Sequence, residues 1–429
     1  MVMHGGKGVS GMKITMGDVD SIYGCFGKNY DYAVRLITKM KDSVDGELLE
    51  QALRITEKRY PYLSLRMRKT EEEYYFEENP APVTLFHSEK RLHLNMPETN
   101  YHIWAVSYQD DRIIVDVYHG LLDGLGMYKL LATLLYYYCN LRYEVMDHTG
   151  VRTLEDEIRP CEWEDPQDML PPPAPSDDDE PVEAFSLTRD GGLPDNDPVQ
   201  YDIMLPENDF VKLSSSLGGS PGTVVALLME HALDRWFPER KKPIVCTYII
   251  NGRPMLHARE TYHNCLSGAH FVYSDEMKAL PFDMQNTILR GITMYCADEE
   301  KVRNDLAGKV AFCKELLKNS HTVEDKNNAF KEIVDSDARA QTCMVSYLGR
   351  WTLPATKGYM QELWGHVPAV NDLYIGMVAV DGKICLTLQQ VFDDDTFLKF
   401  FCEELREHGI SYEVRPKAKI DTAFYPRPE

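Results

Sequence analysis

His119-Gly-Leu-Leu-Asp123-Gly124 sets an imidazole and a carboxylate four positions apart, with glycines at 120 and 124. A neutral imidazole takes the proton from an alcohol, amine or thiol as that group attacks an activated carbonyl, and its unperturbed pKa near ~6.5 suits this work at neutral pH. A carboxylate across a turn with two glycines either bonds the ring or anchors the loop through a cation. The chemistry this pattern suits is acyl transfer, with His119 as general base and Asp123 in support.

The flanking residues say how the pair is held. Ile113 to Tyr118 are β-branched or aromatic apart from Asp116, which predicts a strand, while Leu125, Tyr128, Leu131, Ala132 and Leu135 recur at helical spacing. His119 therefore ends a strand, Gly120 to Gly124 make the turn, and Asp123 is placed to cap the helix. Upstream, Asp45 can cap a helix whose Leu48, Leu49, Ala52 and Leu53 face inward and whose end carries Lys58 and Arg59, where the helix dipole favours cations. Tyr62 to Arg68 alternates as a half-buried strand with Arg66 and Arg68 on one face, and 74–76, 83–86 and 102–108 are shorter strand candidates.

In the C-terminal half, 200–205, 244–250, 270–273, 343–348, 373–380 and 383–391 read as strands. The stretches 223–237, 284–295, 301–319 and 395–408 read as helices. The apolar run Ile244 to Ile250 ends in Asn251-Gly-Arg253-Pro254, either an ordinary polar turn or a loop that reaches a donor phosphate. Tyr136-Tyr137-Tyr138 is expected to be core and helix-end packing. Gly5, Gly6 and Gly8 precede any strand and so form no phosphate loop.

A chain of 429 residues exceeds what one hydrophobic core supports, so at least two domains are expected. Between Glu155 and Glu183 stand twelve acidic residues and one arginine, roughly half of the formal charge of -22, among seven prolines. Such a segment cannot bury enough surface to fold alone and is expected to be a solvated linker. The predicted organisation is an N-terminal unit over 12–150, an acidic Pro-rich linker over 151–198, a C-terminal unit over 199–416 and a tail over 417–429. The acidity disfavours nucleic acid, which needs a basic face. Ten cysteines occur singly, without C-x-x-C pairs or metal-ligand spacing, so no metal site is expected. No stretch reaches the ~18 to 20 apolar residues of a membrane span, and residues 1–11 lack a signal peptide's apolar segment, so a cytoplasmic protein is expected.

Taken in order, these features resemble the condensation-domain superfamily of acyltransferases, which includes chloramphenicol acetyltransferase, and come nearest to stand-alone bacterial alcohol acetyltransferase-like proteins. The resemblance rests on the capped helix 45–59 followed by Tyr60-Pro61-Tyr62-Leu63, the His119–Gly124 motif, the linker, Asn251-Gly-Arg253, Asn264, and Val345-Ser346-Tyr347-Leu348-Gly349. It implies an α/β (α+β) fold of two chloramphenicol-acetyltransferase-like subdomains arranged in a V, with an inter-domain tunnel. Donor and acceptor would enter from opposite faces and react at His119 without an acyl-enzyme. It also implies that Asp123 holds its loop through an arginine, that Gly124 lets the helix start close to the substrate, and that Ser346 is a candidate donor to the oxyanion.

The implied partners are a small-molecule acceptor and acyl-CoA as co-substrate, with a phosphopantetheinyl carrier protein as the alternative donor. The resemblance also implies no tightly bound cofactor and a monomeric protein. Two departures matter. Tyr118 stands where peptide-synthetase condensation domains usually carry a second histidine, which favours a CoA user. Ser64 replaces the expected arginine, leaving Arg66 as the candidate partner for Asp123, with Asn251 and Arg253 as further loop-supporting residues. The lost arginine is also the feature that favours a non-catalytic binding protein of the same fold.

Overall fold

A computed structural model describes residues 13–15, 33–175, 182–195, 197–367 and 372–420. The glycines near the start and the final residues of the tail lie outside the described residues. In chain order the elements are β1 (Lys13–Thr15), β2 (Ala33–Met40), α1 (Gly46–Arg59), β3 (Leu65–Lys69), β4 (Tyr74–Glu78), β5 (Leu85–His87), β6 (Trp104–Gln109), β7 (Arg112–Tyr118) and α2 (Gly124–Tyr143). After the acidic segment come β8 (Val199–Pro206), α3 (Glu207–Ser216), α4 (Pro221–Trp236), β9 (Ile244–Asn251), β10 (Leu266–Tyr273), α5 (Asp275–Lys278), α6 (Phe282–Cys296), α7 (Glu299–Leu317) and α8 (Val323–Ala340). The chain continues through β11 (Cys343–Arg350), β12 (Met360–His366), β13 (Leu373–Val380), β14 (Lys383–Gln390), α9 (Thr396–Glu407), β15 (Glu413–Val414) and β16 (Ala418–Lys419).

These strands form three sheets, in the orders β1-β4-β3, β12-β2-β7-β6-β5, and β10-β9-β11-β13-β14-β8-β15 with β16 also on β8. The fold is therefore mixed α/β, as expected. In the five-stranded sheet β7 is central and buried along almost its whole length. Its one charged interior residue, Asp116, is matched in register by Arg35 of β2 through two 2.8 Å bonds. A paired charge is tolerated where a lone one would not be. The edge strand β12 of this sheet comes from beyond residue 350, so one sheet is built from both halves of the chain.

Helix α1 begins where its capping residue predicts, with the Asp45 carboxylate accepting from the N–H groups of Glu47 and Leu48 at 3.0 and 3.1 Å. Helix α2 is apolar nearly all round, and such a helix must be buried. Its Tyr138 is fully buried and accepts from the Asp45 N–H at 3.0 Å, joining α2 to the start of α1. The strand expected from Tyr62 starts only at Leu65, because Pro61 opens a short 3₁₀ turn over Pro61–Leu63.

The acidic segment departs from its expected solvation. Glu162 is 1% exposed, bound by both guanidinium amines of Arg59 at 2.9 and 3.0 Å and by the Tyr62 hydroxyl at 2.7 Å. Gln167, also buried, donates to the Asn264 carbonyl at 2.7 Å. A segment that cannot make a core of its own has docked by borrowing partners from α1 and from the loop before β10.

Candidate active site

His119 follows the last residue of β7 and is partly buried, and its carbonyl accepts from Asn264 Nδ2 at 3.1 Å. The backbone that carries the imidazole is thus held from the opposite half of the chain. Four residues on, Asp123 caps α2 by accepting from the Gly126 N–H at 3.0 Å. Its two oxygens also take both terminal amines of Arg253, at 2.7 and 2.5 Å, and Oδ2 accepts from the Cys265 N–H at 3.3 Å. Arg253 completes its fork on the carbonyls of Thr261 at 3.1 Å and His263 at 2.8 Å. Both residues are buried, Asp123 at 0% and Arg253 at 2% exposure. One desolvated, bidentate ion pair therefore ties the motif turn to the loop 252–265, a geometry that guanidinium supplies and ammonium does not.

This corrects the expected partner of Asp123. Arg66 lies opposite Glu77 in the β3–β4 register and donates to it at 2.8 Å, while Arg68 reaches the other oxygen at 3.1 Å. A cross-strand neighbour was available to Arg66, and the motif carboxylate found its cation in the other half. Arg253 thus bonds Asp123 and backbone carbonyls of its own loop. Asn251 assists by accepting from the Arg253 N–H at 3.2 Å.

Two glycines let these parts approach. A Cβ on Gly124 would fall 2.7 Å from Leu348 Cδ2, the tip of a flexible side chain, and one on Gly126 would fall 2.5 Å from the Tyr262 carbonyl oxygen, which is fixed backbone. Gly126→Ala is accordingly expected to lower the unfolding free energy by about 1–3 kcal/mol, through overpacking that backbone cannot relieve, and Gly124→Ala to cost less. Denaturant titration of the two variants checks the order; equal stabilities would mean that the loop yields. Gly126 had no place in the sequence reading, although its position three residues after a capping Asp is where the cap's N–H donor must sit.

His119, Gly124, Leu125 and Tyr128 form one wall of a cavity of about 1030 Å³. The large sheet supplies much of the remaining lining: Leu266, Ser267, Gly268 and His270 of β10, Thr247, Ile249 and Asn251 of β9, Met344 and Ser346 to Gly349 of β11, and Tyr374 and Gly376 to Val378 of β13. Val34, Leu36 and Gly365 from the five-stranded sheet and residues of α7 and α8 complete it.

Ser346 therefore shares the cavity with His119. Tyr374 lines the same cavity, and burial pushes its ionisation up to about 12. Gly349, at φ +85°, lies where β11 slips register against β13, and this bulge turns the strand's end beside the cavity. Tyr128, one turn after Gly124, has a buried hydroxyl without a hydrogen-bond partner among the described residues. Burial holds that phenol far above its usual range, so it is a neutral donor at the cavity wall. Its spacing from Gly124 is the signal that would have marked it.

No group of three or more His, Cys, Asp or Glu side chains among the described residues is arranged to hold a metal ion. No helix there is long and apolar enough to cross a membrane.

No protein-family model and no curated protein matches the sequence. Solved structures do match in fold. The TRI101 protein of Fusarium graminearum, complexed with coenzyme A and T-2 mycotoxin, is 10% identical, with a TM-score of 0.57 over 94% of this chain and 99% of that one. The TRI3 trichothecene 15-O-acetyltransferase of Fusarium sporotrichioides is 11% identical, with a TM-score of 0.57 over 94% and 96%. The condensation domain of the monacolin K polyketide synthase MokA is 11% identical, with a TM-score of 0.60 over 93% and 98%. The chain thus has the fold shared by coenzyme A-binding acyltransferases and condensation domains, as its motifs led one to expect.

Proposed function

We propose that the protein transfers an acyl group from a CoA thioester to a small alcohol or amine, with His119 as general base. The observation that carries this reading is the position of His119: a partly buried imidazole at a strand end, on the wall of a cavity built from both halves of the chain. The acceptor's oxygen or nitrogen attacks the thioester carbonyl while the imidazole takes its proton, and collapse of the tetrahedral intermediate expels the thiolate, which recovers that proton from the imidazolium. No bond to the enzyme forms. Asp123 and Arg253 act as positioning residues that hold the turn, and Tyr128 and Ser346, which line the same cavity, donate to the developing oxyanion. In this proposal the units 12–150 and 199–416 flank the site, joined by 151–198, and the protein works as a monomer.

A second reading has a carrier protein deliver the acyl group on its phosphopantetheine, favoured by the likeness to a condensation domain. The charge of -22 opposes docking of an acidic carrier, and this ranks CoA first. A non-catalytic role loses its motive, since Arg253 supplies the arginine that Ser64 does not.

The test presents purified protein with acetyl-CoA and longer acyl-CoA, a panel of alcohols and amines, and in parallel an acylated carrier protein. Acceptor-dependent release of free thiol from CoA is the expected outcome. Transfer from the carrier alone would establish the second reading, and transfer from neither would end both.

A further inference from the structure

The loop that holds the motif turn is itself held, and by the acidic segment. Towards the turn, the carbonyls of Thr261 and His263 accept from Arg253 at 3.1 and 2.8 Å, Asn264 Nδ2 donates to the His119 carbonyl at 3.1 Å, and the Tyr262 carbonyl lies against Gly126. Away from the turn, the same four residues bond the stretch 162–167. Thr261 Oγ1 donates to the Glu164 carbonyl at 3.3 Å, the Tyr262 N–H to the Glu162 carbonyl at 3.2 Å and His263 Nε2 to the Trp163 carbonyl at 3.0 Å. The Asn264 carbonyl accepts from Gln167 Nε2 at 2.7 Å. Three of these bonds end on linker backbone, so the acidity of the segment does not oppose them.

The stretch stands on a footing of its own. Its Glu162 carboxylate is fixed by Arg59 and Tyr62 at the end of α1, and the Tyr62 ring packs on Trp163 of the segment and on Tyr262 of the loop, with centroids 5.7 and 5.6 Å away. Arg152 bridges the two as well, reaching Glu162 at 3.5 Å and Glu260 at 2.8 Å. Glu162, Gln167, Thr261 and Asn264 are all buried. A shift of the loop would therefore strand polar groups away from water, which is the costly way to lose a hydrogen bond.

Resting on the acyl-transfer reading, we propose that the stretch 162–167 is a buttress for His119: it fixes the loop 261–264, the loop fixes the turn, and Gln167 and Glu162 are positioning residues for the transfer. Neither side chain lines the cavity, so both act only through the loop. A general base must stay within hydrogen-bond reach of the proton it takes, and a turn that drifts loses rate before it loses substrate.

Gln167→Met keeps the length of the side chain and removes its donor. In this variant kcat should fall about tenfold while KM for both substrates stays within about twofold. Hydrogen exchange should quicken about fivefold in the turn 119–127, the size of one lost hydrogen bond, and keep the wild-type rate in β13 and β14. Glu162→Gln, which weakens the footing on Arg59, should move both readouts in the same direction. Ser186→Ala serves as the control, because this buried hydroxyl of the same linker bonds Thr188 and Asp372 instead of the loop. It should lower the melting temperature and leave kcat and the exchange of the turn unchanged. Exchange is read without substrate, so a loosened turn in Gln167→Met, with no thiol release even from wild type, would sink the transferase reading alone. Unchanged exchange in the turn, a kcat that both linker variants keep, or an equal loss of kcat in Ser186→Ala would overturn the inference alone.

Discussion

His119→Ala should lower kcat/KM for acyl transfer by about a hundred- to ten-thousandfold while leaving the unfolding transition close to that of wild type. The size is that of losing a positioned general base, with substrate binding and the hydroxyls of Tyr128 and Ser346 left in place. The fold should survive because the ring faces a cavity instead of filling the core, and because Asn264 binds the residue's carbonyl, which alanine retains. Initial rates of thiol release, with melting curves on the same preparations, check both halves of the expectation. A variant as fast as wild type would remove His119 from the mechanism whatever else bound in the cavity.

The second large effect belongs to Arg253. In Arg253→Met the Asp123 carboxylate keeps only the N–H groups of Gly126 and Cys265, at 3.0 and 3.3 Å, in a site with no access to water. Breaking one side of a buried ion pair costs about 3–5 kcal/mol, since the survivor remains desolvated and uncompensated. The unfolding free energy should drop by that amount, and transfer should fall with it, as the turn carrying His119 loses its tie to the loop 252–265. Removing both charges, as Asp123→Asn with Arg253→Met, should cost less than the two single changes added together, and the deficit is the coupling between them. Arg253→Lys should not rescue, because an ammonium cannot hold both carboxylate oxygens and two carbonyls at once. Denaturant titrations of the four proteins settle this. A loss within about 1 kcal/mol for the single variant would show that the pair is not what joins the turn to the loop.

Much of the frame was readable in the chain. Periodicity located β7, β9, β13 and β14 within a residue or two, and the start of α2, because a half-buried strand or helix must repeat its apolar positions at its own period. Caps were as legible: Asp45 and Asp123 each accept the N–H bonds their types predict. Strands β2 and β12 and helices α3 and α8 were not recognised. In β2 and β12 the apolar pattern is broken by Arg35 and Glu362, whose burial is sustained by partners far away in sequence, Asp116 for Arg35 and Arg415 for Glu362. Helix α8 is polar along most of its length.

The Asp123 partner marks the same boundary at the site. Reading along the chain favoured Arg66, two positions from where an arginine was expected, yet proximity in sequence carries no information about which guanidinium arrives from the other half. Residue types and spacing determined that an imidazole would end a strand, that a carboxylate would cap the following helix, and that the chain would have a mixed α/β fold. These are local consequences of hydrogen-bonding capacity and apolar period. Only the tertiary structure decided that Arg253 answers Asp123, that Glu162 sinks from an acidic segment onto Arg59, and that His270 shares a cavity with His119. Each of those pairings joins residues about a hundred or more positions apart, and burial makes a distant charge or hydroxyl the one partner that can replace water.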